Sequence, residues 1–396
     1  MPESAASPRF GGMNRVLITG GRAPVALDLA RHFAAAGMEV FVADSAAYFL
    51  ARASRAVSRS LRVPPPRQEP QAFAEAIGVI VRREKIELIV PTCEEVFFVA
   101  RHAERLRGEA DLFCAEFSLL AELHDKWRFT RLAQDLGIGV PETWRLASPA
   151  HLRALPVPSE ELVFKPVFSR FAMHTLVQPK AAEVAALAPR VERPWVAQRF
   201  VAGRELCSYS IARDGRLCAH ALYVPLWRAG RGSGYYFSPQ RVPAIEAFVA
   251  RFVAKTRYTG QIAFDFIESP DGGMHVLECN PRATSGLHLF ALKDGLARAF
   301  AHEPGEILRP ANDRPGMLGT AMLTIGVVDA LRHGKFRALA ADWHAARDVL
   351  WSRSDPWPAF YVFAGLGATL ATAALRGITP QAASTRDLEW DGEDII

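Results

Sequence analysis

The sequence predicts a mixed α/β and α+β protein, in which a Rossmann-like domain precedes a region of antiparallel hairpins and a C-terminal extension. In the first part, two apolar runs, RVLIT at 15–19 and MEVFVADS at 38–45, flank a helical pattern, which is typical of a β-α-β unit. In the second part, the Asp-Gly pairs at 214–215 and 271–272 each separate two apolar strands. Asp-Gly is a preferred pair for a tight hairpin turn, so antiparallel pairing is expected there.

The composition excludes several classes of protein. A length of 396 residues predicts two or three domains, and 50% hydrophobic with 22% charged residues is ordinary for a globular protein. The net charge of +5 is small, and no basic block is interleaved with aromatic residues, so we expect no nucleic-acid partner. Five scattered cysteines without a C-x-x-C pair disfavour a disulfide framework and a structural zinc site. Residues 1–13 lack the apolar core of a secretory signal, so we expect a disordered N-terminus and a cytoplasmic location.

The first domain is predicted over residues 14–117. A third strand, IELIV at 86–90, leads to Glu94 and Glu95, which lie where open α/β sheets bind ligands but can equally begin the next helix. Residues 52–67 are rich in arginine, serine and proline, which indicates a crossing loop. The dinucleotide-binding fingerprint is incomplete after the first strand, which disfavours a nicotinamide-dependent reductase.

The next segment carries two notable lysines. A single helix is predicted from Ser118 to Leu136, because its apolar residues follow a near-helical spacing, and this helix includes Lys126. Lys165 ends the apolar strand ELVFKP at 161–166. A lysine in that position either extends to solvent or meets an anion.

Two carboxylates are predicted to converge in the hairpin at 261–287. If this hairpin is symmetric about Asp271-Gly272, Asp265 lies opposite Glu278, and Asn280 shares a face with Glu278. The alternative is a surface hairpin with an acidic face. Phenylalanines on both sides of Asp265 favour partial burial, and a partly buried carboxylate pair needs a cation or a proton between its members. Hard oxygen donors of this kind suit Mg²⁺.

Four motifs follow one another along the chain: DKW at 125–127, FKP at 164–166, G-x-E at 203–205, and an aspartate followed by E-x-N-x-R between 265 and 282. In this order and spacing they resemble the motifs of the ATP-grasp ligases, and the resemblance to that superfamily covers residues 15–290. The resemblance implies a preATP-grasp domain followed by a two-subdomain ATP-grasp fold. The corresponding segments are a Rossmann-like domain at 14–117, a linker helix and lid subdomain at 118–196, a C-terminal subdomain at 197–300, and an extension at 301–396.

The resemblance also implies roles for the residues at the matching positions. Lys165 and Arg282 would be catalytic, since Lys165 would neutralise the phosphates and Arg282 would steady the transferring phosphoryl group. The residues that would bind ATP are Lys126, Lys165, Gln198, Arg199, Val201 and Glu205, and those that would bind Mg²⁺ (or Mn²⁺) are Asp265, Glu278 and Asn280. The sequence departs from the family at 169–174, where SRFAMH replaces a glycine-rich loop. Side chains of Ser169, Arg170 and His174 would then contact the phosphates instead of backbone N–H groups.

The implied activity is that of a carboxylate–amine ligase, which uses ATP to activate a small-molecule carboxylate for attack by an amine. Two alternatives remain open at this point. One is activation of bicarbonate to carboxyphosphate, as in the carbamoyl-phosphate and biotin-carboxylase branch, whose N-terminal domain this chain resembles. The other is a non-catalytic ATP-binding protein, which the altered loop at 169–174 would allow.

The remaining segments carry no recognisable chemistry. Residues 223–237 are rich in glycine, arginine and aromatics, and they form either a lid over the substrate or an ordinary surface loop. Residues 357–375 are uncharged, close to the ~20 residues that span a bilayer. Glycine, alanine and threonine dilute their hydrophobicity, which favours a buried or partner-facing helix over membrane contact. The extension at 301–396 could shape the acceptor site or form a homodimer contact.

Overall fold

The computed structural model describes residues 13–170, 174–228, 234–301 and 305–395. These residues form three sheets of five, four and seven strands with helices on their faces. The first sheet is parallel, and the other two are antiparallel except for the parallel pair β15–β16, which confirms the predicted mixture of α/β and α+β structure.

The first sheet is parallel and doubly wound. Its order is β3-β2-β1-β4-β5, so the strand order reverses between β1 and β4, which is where such sheets bind ligands. The strands are β1 Arg15–Thr19, β2 Glu39–Asp44, β3 Arg59–Arg62, β4 Leu88–Val90 and β5 Asp111–Leu112. The helices are α1 Pro24–Ala35, α2 Pro70–Glu84, α3 Glu95–Arg101 and α4 Ala103–Leu106. The expectation of a loop throughout 52–67 is wrong, because β3 pairs there with β2, although its sequence RSLR lacks an apolar run.

Gly20 brings the carboxyl ends of β1 and β4 together. Its φ is +74°, and a Cβ at this position would lie 2.7 Å from the hydroxyl of Thr92 and 2.8 Å from Oε1 of Glu95. Glu95 accepts hydrogen bonds from the Thr19 hydroxyl and the Thr92 backbone N–H. A side chain on residue 20 would therefore separate the two strands and displace the start of α3.

The predicted single helix at 118–136 is wrong, because the chain breaks it at Asp125. Two helices result, α5 Phe117–His124 and α6 Lys126–Ala133. The Asp125 side chain accepts hydrogen bonds from the backbone N–H groups of Trp127 and Arg128, both at 2.9 Å, and thereby caps α6. Lys126 becomes the first residue of α6 and is buried.

The second sheet is small and antiparallel, with the order β6-β9-β7-β8. It has its own core, which includes Leu146, Leu162 and Phe164. Its strands are β6 Thr143–Leu146, β7 Leu162–Pro166, β8 Leu176–Val177 and β9 Trp195–Arg199, and its helices are α7 Pro149–Arg153 and α8 Ala181–Ala185. Residues 200–203 connect this sheet to the next.

The third sheet has the order β14-β13-β10-β11-β12-β15-β16. Its strands are β10 Arg204–Arg213, β11 Arg216–Arg228, β12 Gly234–Gln240, β13 Gly260–Glu268, β14 Met274–Asn280, β15 Gly316–Met317 and β16 Arg347–Asp348. Helix α9 Pro243–Thr256 covers one face, where Phe248 and Phe252 pack on Phe264. The predicted turn at Asp214-Gly215 is confirmed, with positive φ at both residues.

The β13–β14 hairpin has an unexpected turn and an added bulge. The backbone N–H of Gly272 donates to the Ser269 carbonyl at 2.8 Å, so the turn is centred on Pro270-Asp271, one residue earlier than predicted. Proline favours the second position of such a turn. The ladder then pairs Phe266 with Val276, but the register shifts at the next step, where Leu277 is the additional residue.

The C-terminal extension packs on both main parts of the chain. β15 pairs with β12 and so adds the extension to the third sheet. The helices are α10 Gly319–Ala321, a π-helical turn at Met322–Gly326, α11 Val327–His333, α12 Phe336–Ala345, α13 Trp357–Arg376 and α14 Pro380–Thr385. After α14 the chain returns to the first domain. By length and composition, α13 is the one described helix that could span a membrane, and 11% of its most apolar stretch is buried.

The first and third sheets share one apolar core. The Phe300 ring lies 5.0 Å from the Phe33 ring of α1 and 4.7 Å from the Phe113 ring beside β5. Tyr209 and Ile211 of β10 belong to the same buried cluster as Val16 and Ile18 of β1. The carboxyl ends of the first sheet are therefore held beside the third sheet, which forms one wall of the candidate site.

Candidate functional site

The two predicted carboxylates lie opposite each other in the third sheet. Asp265 of β13 pairs in register with Glu278 of β14, and two positions further along, on the same face, Ala263 pairs with Asn280. The Asn280 amide nitrogen donates to Oδ2 of Asp265 at 3.3 Å, and its amide oxygen accepts from Nη2 of Arg282 at 3.1 Å. Four side chains thus form a continuous row on one face of the hairpin.

Two lysines approach this row from other elements. Nζ of Lys126, at the start of α6, lies 3.6 Å from Oε2 of Glu278 and donates to the Ser169 carbonyl at 2.8 Å. Lys165, near the end of β7, is buried. Its burial lowers the pKa of the amine, while the nearby charges of Glu278 and Asp265 act in the opposite direction. The small second sheet therefore contributes a cation to an acidic site on the third sheet.

The carboxylate pair has opposite pKa shifts. Burial would raise the pKa of Glu278, but the charges of Lys126 and Lys165 outweigh it and hold the pKa below its usual range. For Asp265, burial and the charge of Glu278 both raise the pKa. A hydrogen bond joins the two carboxyl groups. Asp265 is accordingly the member that holds a proton when no cation lies between them.

These donors fit a divalent cation such as Mg²⁺. Within the described ranges, no group of three or more histidine, cysteine, aspartate or glutamate residues is placed to hold a metal ion. The site instead offers two carboxylates and the amide oxygen of Asn280, which has a second lone pair beside its bond with Arg282. Mg²⁺ commonly uses one or two carboxylates and completes its coordination with phosphate oxygens and water.

A buried glutamate of the first domain joins this site. Glu94 follows β4, and its Oε1 lies 3.0 Å from Nε of Arg170 and 3.6 Å from Nε of Arg282. Burial raises the pKa of Glu94, but the positive charges, Arg170 first, lower it overall. Glu94 therefore orients Arg282, which also reaches Asn280. The position of Glu94 after a parallel strand was the sequence feature that indicated a ligand site. Its neighbour Glu95 begins α3, which was the alternative predicted for these two residues.

The C-terminal segment reaches the same place, although no motif within it indicated a contact with Glu94. The backbone N–H of Trp390 donates to Oε2 of Glu94 at 3.3 Å. The Trp390 ring lies 4.8 Å from the Phe97 ring and 5.2 Å from the Phe168 ring. His124 packs in this aromatic cluster, and its burial lowers the pKa of the imidazole to about 4, so the ring is neutral.

Two arginines of the first domain form ion pairs with the C-terminal segment on both sides of Trp390. Arg22 forms a two-pronged interaction with Asp387, each oxygen at 2.7 Å, and also pairs with Asp44 at the end of β2. Arg67 pairs with Glu389, Asp391 and Glu393 at 2.8–3.0 Å. Residues 384–393 therefore cover the carboxyl end of the first sheet, and Trp390 lies between the ends of that sheet and the loop after β7.

Four further residues were predicted to bind ATP, and the described hydrogen bonds and ion pairs of their side chains are with residues outside the acidic row. Gln198 of β9 is buried and donates to the Thr143 hydroxyl at 3.1 Å. The Arg199 side chain pairs with Glu161 and Glu142 within the second sheet. Val201 lies in the connection 200–203, and its backbone has no hydrogen bond to another described residue. Glu205 shares its strand face with Cys207, the partner of Asp265, and is hydrogen-bonded to Arg228. Their nucleotide roles stay predictions.

Two predicted loops fall partly outside the described residues. In the segment 169–174, Ser169 and Arg170 are described and contact Lys126 and Glu94, whereas 171–173 lie outside. Most of the segment 223–237 is strand rather than loop, because β11 pairs with β12, and Arg231 lies outside the described ranges. The indole N–H of Trp227 donates to Asp342 at 2.7 Å, which attaches this hairpin to α12.

Comparison with known proteins identifies the fold. No protein-family model and no curated protein matches the sequence. Among solved structures, an L-amino acid ligase from Bacillus licheniformis is 16% identical, with a TM-score of 0.57 over 74% of this chain and 75% of that one. An N5-carboxyaminoimidazole synthetase from Staphylococcus aureus with ADP is 13% identical, with a TM-score of 0.61 over 83% and 88%.

A third similar structure is a biotin carboxylase domain dimer from Hydrogenobacter thermophilus in complex with MgADP and bicarbonate. It is 12% identical, with a TM-score of 0.58 over 75% of this chain and 72% of that one. All three are similar to the chain over about three quarters of its length or more. With the three sheets and the acidic hairpin described above, these likenesses show that the chain has the fold of the ATP-grasp ligases.

Proposed function

We propose that the protein is an ADP-forming carboxylate–amine ligase that uses Mg²⁺ and ATP. The observation that carries this proposal is the opposed pair Asp265–Glu278, which is flanked by Lys126 and Lys165 on one side and by Arg282 on the other. An acidic pair among three cations is suited to a highly charged anion that arrives with a divalent cation. Nucleotide phosphates have that chemistry.

In the first step, a carboxylate oxygen of the substrate attacks the γ-phosphorus of ATP. The bond between that phosphorus and the β–γ bridging oxygen breaks, ADP leaves, and an acyl phosphate forms. The transition state spreads negative charge over the phosphoryl oxygens, so catalysis consists mainly of positioning and charge neutralisation. Lys126 and Lys165 would neutralise the phosphates, while Arg282, oriented by Glu94 and Asn280, would contact the transferring group. Asp265, Glu278 and Asn280 would hold Mg²⁺, which would supply positive charge to neutralise the charge that develops on the phosphates.

In the second step, an amine attacks the acyl carbon. A C–N bond forms, the bond between carbon and the phosphate oxygen breaks, and phosphate leaves while the amine releases a proton. Arg282 can stabilise the departing phosphate because its planar guanidinium matches the arrangement of phosphate oxygens. No enzyme nucleophile takes part, since the activated intermediate forms on the substrate.

The Hydrogenobacter thermophilus likeness favours one alternative within the same class, because that structure contains bicarbonate. With bicarbonate as the first acceptor, the same transfer gives carboxyphosphate. Bicarbonate-dependent ADP release without any other carboxylate would select this alternative. Tight ATP binding without turnover across a wide panel would instead select the non-catalytic alternative.

The decisive experiment is a screen for ADP release over paired carboxylates and amines, with Mg²⁺ present or replaced by a chelator. The ligase proposal requires a pair that raises ADP release only when both members and Mg²⁺ are present, with an amide as product. ADP release that depends on neither member of any pair would contradict it.

A further inference from the structure

Helix α13 turns an apolar face to solvent. The exposed fractions of Phe360, Phe363, Leu370 and Leu375 are 63%, 51%, 47% and 88%. The sequence contains no charged residue from Trp357 to Leu375. A helix on the surface of a globular protein normally places charged and polar side chains on its outer face. The composition of this exposed face therefore indicates contact with another apolar surface.

The opposite face of α13 is attached to the protein along its length. Pro358 and Ala373, near the two ends, are buried, and Val362 packs on the core shared with the first domain. At Gly365 a Cβ would lie 2.9 Å from the Tyr48 carbonyl oxygen, so the backbones are nearly in contact. A helix held on one side in this way cannot cross a bilayer. It can only lie in the plane of a membrane surface.

Unpaired arginines surround the apolar face. Arg353 precedes the helix, Arg376 ends it, and Arg52 and Arg55 lie in and just after the 3₁₀ turn that packs against it. All four are exposed, and none pairs with an acid among the residues that the structure describes. The neighbouring Asp355 is buried and neutralised by Arg31 at 2.9 Å. The rim of the apolar face is therefore positively charged.

We propose that α13 docks this protein on the surface of an anionic phospholipid membrane. The apolar face enters the boundary between headgroups and acyl chains, Trp357 lies at the headgroup level, and the arginines contact lipid phosphates. A second copy of the chain is the competing occupant of an apolar face. Two copies of this face would bring the unpaired arginines of each into mutual repulsion, whereas anionic headgroups neutralise them.

Flotation of the full chain with lipid vesicles tests the proposal independently of any catalytic activity. We expect binding to phosphatidylcholine vesicles that contain phosphatidylglycerol, at least about tenfold stronger than to phosphatidylcholine alone, since each arginine near an anionic surface contributes roughly fivefold. Added salt should reduce that preference. Absence of binding to the anionic vesicles would overturn the proposal.

Two sets of variants separate the apolar and electrostatic contributions. Phe363→Ser combined with Leu370→Ser should weaken binding to either vesicle at least about tenfold, because it removes two apolar side chains from the exposed face that would enter the membrane. Arg353→Ser combined with Arg376→Ser should reduce the preference for anionic lipid by up to about 25-fold, roughly fivefold for each arginine, and retain the binding to phosphatidylcholine alone. Val191→Ser, which changes a 68% exposed residue between α8 and β9, is the matched control. A dimer that the first variant dissociates, without any loss of vesicle binding, would instead assign the face to a second copy.

Discussion

The carboxyl groups of Asp265 and Glu278 are joined by a hydrogen bond across the β13–β14 ladder. Lysine charges keep Glu278 ionised, and burial together with that ionised neighbour raises the pKa of Asp265. The pair therefore binds one proton in a pH range where two separate carboxylates would bind none. A divalent cation can take the place of this proton, so metal binding and protonation compete.

The stability of the metal-free protein should depend on pH through Asp265. Burial raises the pKa of Asp265 from 3.8 to about 7, so between these values the folded protein binds a proton that the unfolded chain has lost. The metal-free protein should therefore lose stability as pH rises through this range. Thermal unfolding across the range checks this, and Asp265→Asn should flatten the profile. A wild-type profile as flat as that of Asp265→Asn would show that the proton is not shared.

The same competition predicts that Mg²⁺ binds more tightly as pH rises through about 7, and that binding releases up to one proton. Isothermal titration of Mg²⁺ with ADP in buffers of different ionisation enthalpy measures the protons released. The effect should disappear in Asp265→Asn. Equal proton release from that variant would locate the titrating group elsewhere.

Glu278→Gln should reduce ADP release at least about a hundredfold. The change removes the negative charge beside Lys126 and one of the two carboxylates that would bind the divalent cation. The protein should stay folded, since the amide keeps the shape of the side chain. Glu268→Gln is the control on the same hairpin, where the carboxylate pairs with Arg204 at the far end of β13. Turnover by Glu278→Gln at the rate of the control would remove Glu278 from the proposed site.

Arg282→Lys should lower turnover about ten- to a hundredfold and change ADP affinity by less than about threefold. Lysine keeps the charge but cannot reach Glu94 and Asn280 at once, as the planar guanidinium does. ADP release and ADP titration measure the two quantities, with Arg204→Lys as the control. A loss of ADP affinity that accounts for the whole loss of turnover would make Arg282 a binding residue only.

Trp390→Ala should destabilise the protein by about 3–5 kcal/mol, the usual cost of truncating a buried aromatic residue. The change removes ring contacts with Phe97 and Phe168. Urea unfolding measures the free energy, and Trp351→Ala, at a 46% exposed position, should cost less than about 0.5 kcal/mol. Equal stability of the two variants would show that the C-terminal segment is not anchored at Trp390.

The acidic row shows how a correct prediction from sequence can rest on an incomplete reason. Symmetry about Asp271-Gly272 predicts Asp265 opposite Glu278, and that pairing is confirmed. Pro270 moves the turn by one residue, which alone would misalign the pair, and the bulge at Leu277 restores the alignment. Alternation along a strand indicates which residues share a face, but it does not show where one strand contains an extra residue.

Contacts between distant parts of the chain could not be predicted from local sequence patterns. The parallel strands β1, β2 and β4 and the lysine motifs were predictable from local patterns, and β3 was not, since RSLR has no apolar alternation. The break at Asp125 was missed because the apolar spacing continues through it, although Asp125 itself is a typical helix cap. The role of Glu94 depends on Arg170, Arg282 and Trp390, which no local pattern connects to it.

The attachment of residues 384–393 to the first domain also has a consequence for folding during synthesis. Arg22 and Asp387 are 365 positions apart in the chain, and contacts this distant close late because the intervening chain must be ordered first. During synthesis, the first domain leaves the ribosome long before the segment that covers it. Until Trp390 arrives, Glu94 lacks its backbone N–H partner and Phe97 lacks its stacking partner. A partly synthesised chain can therefore contain every residue of the acidic row while Glu94, which orients Arg282, still lacks its contact with Trp390.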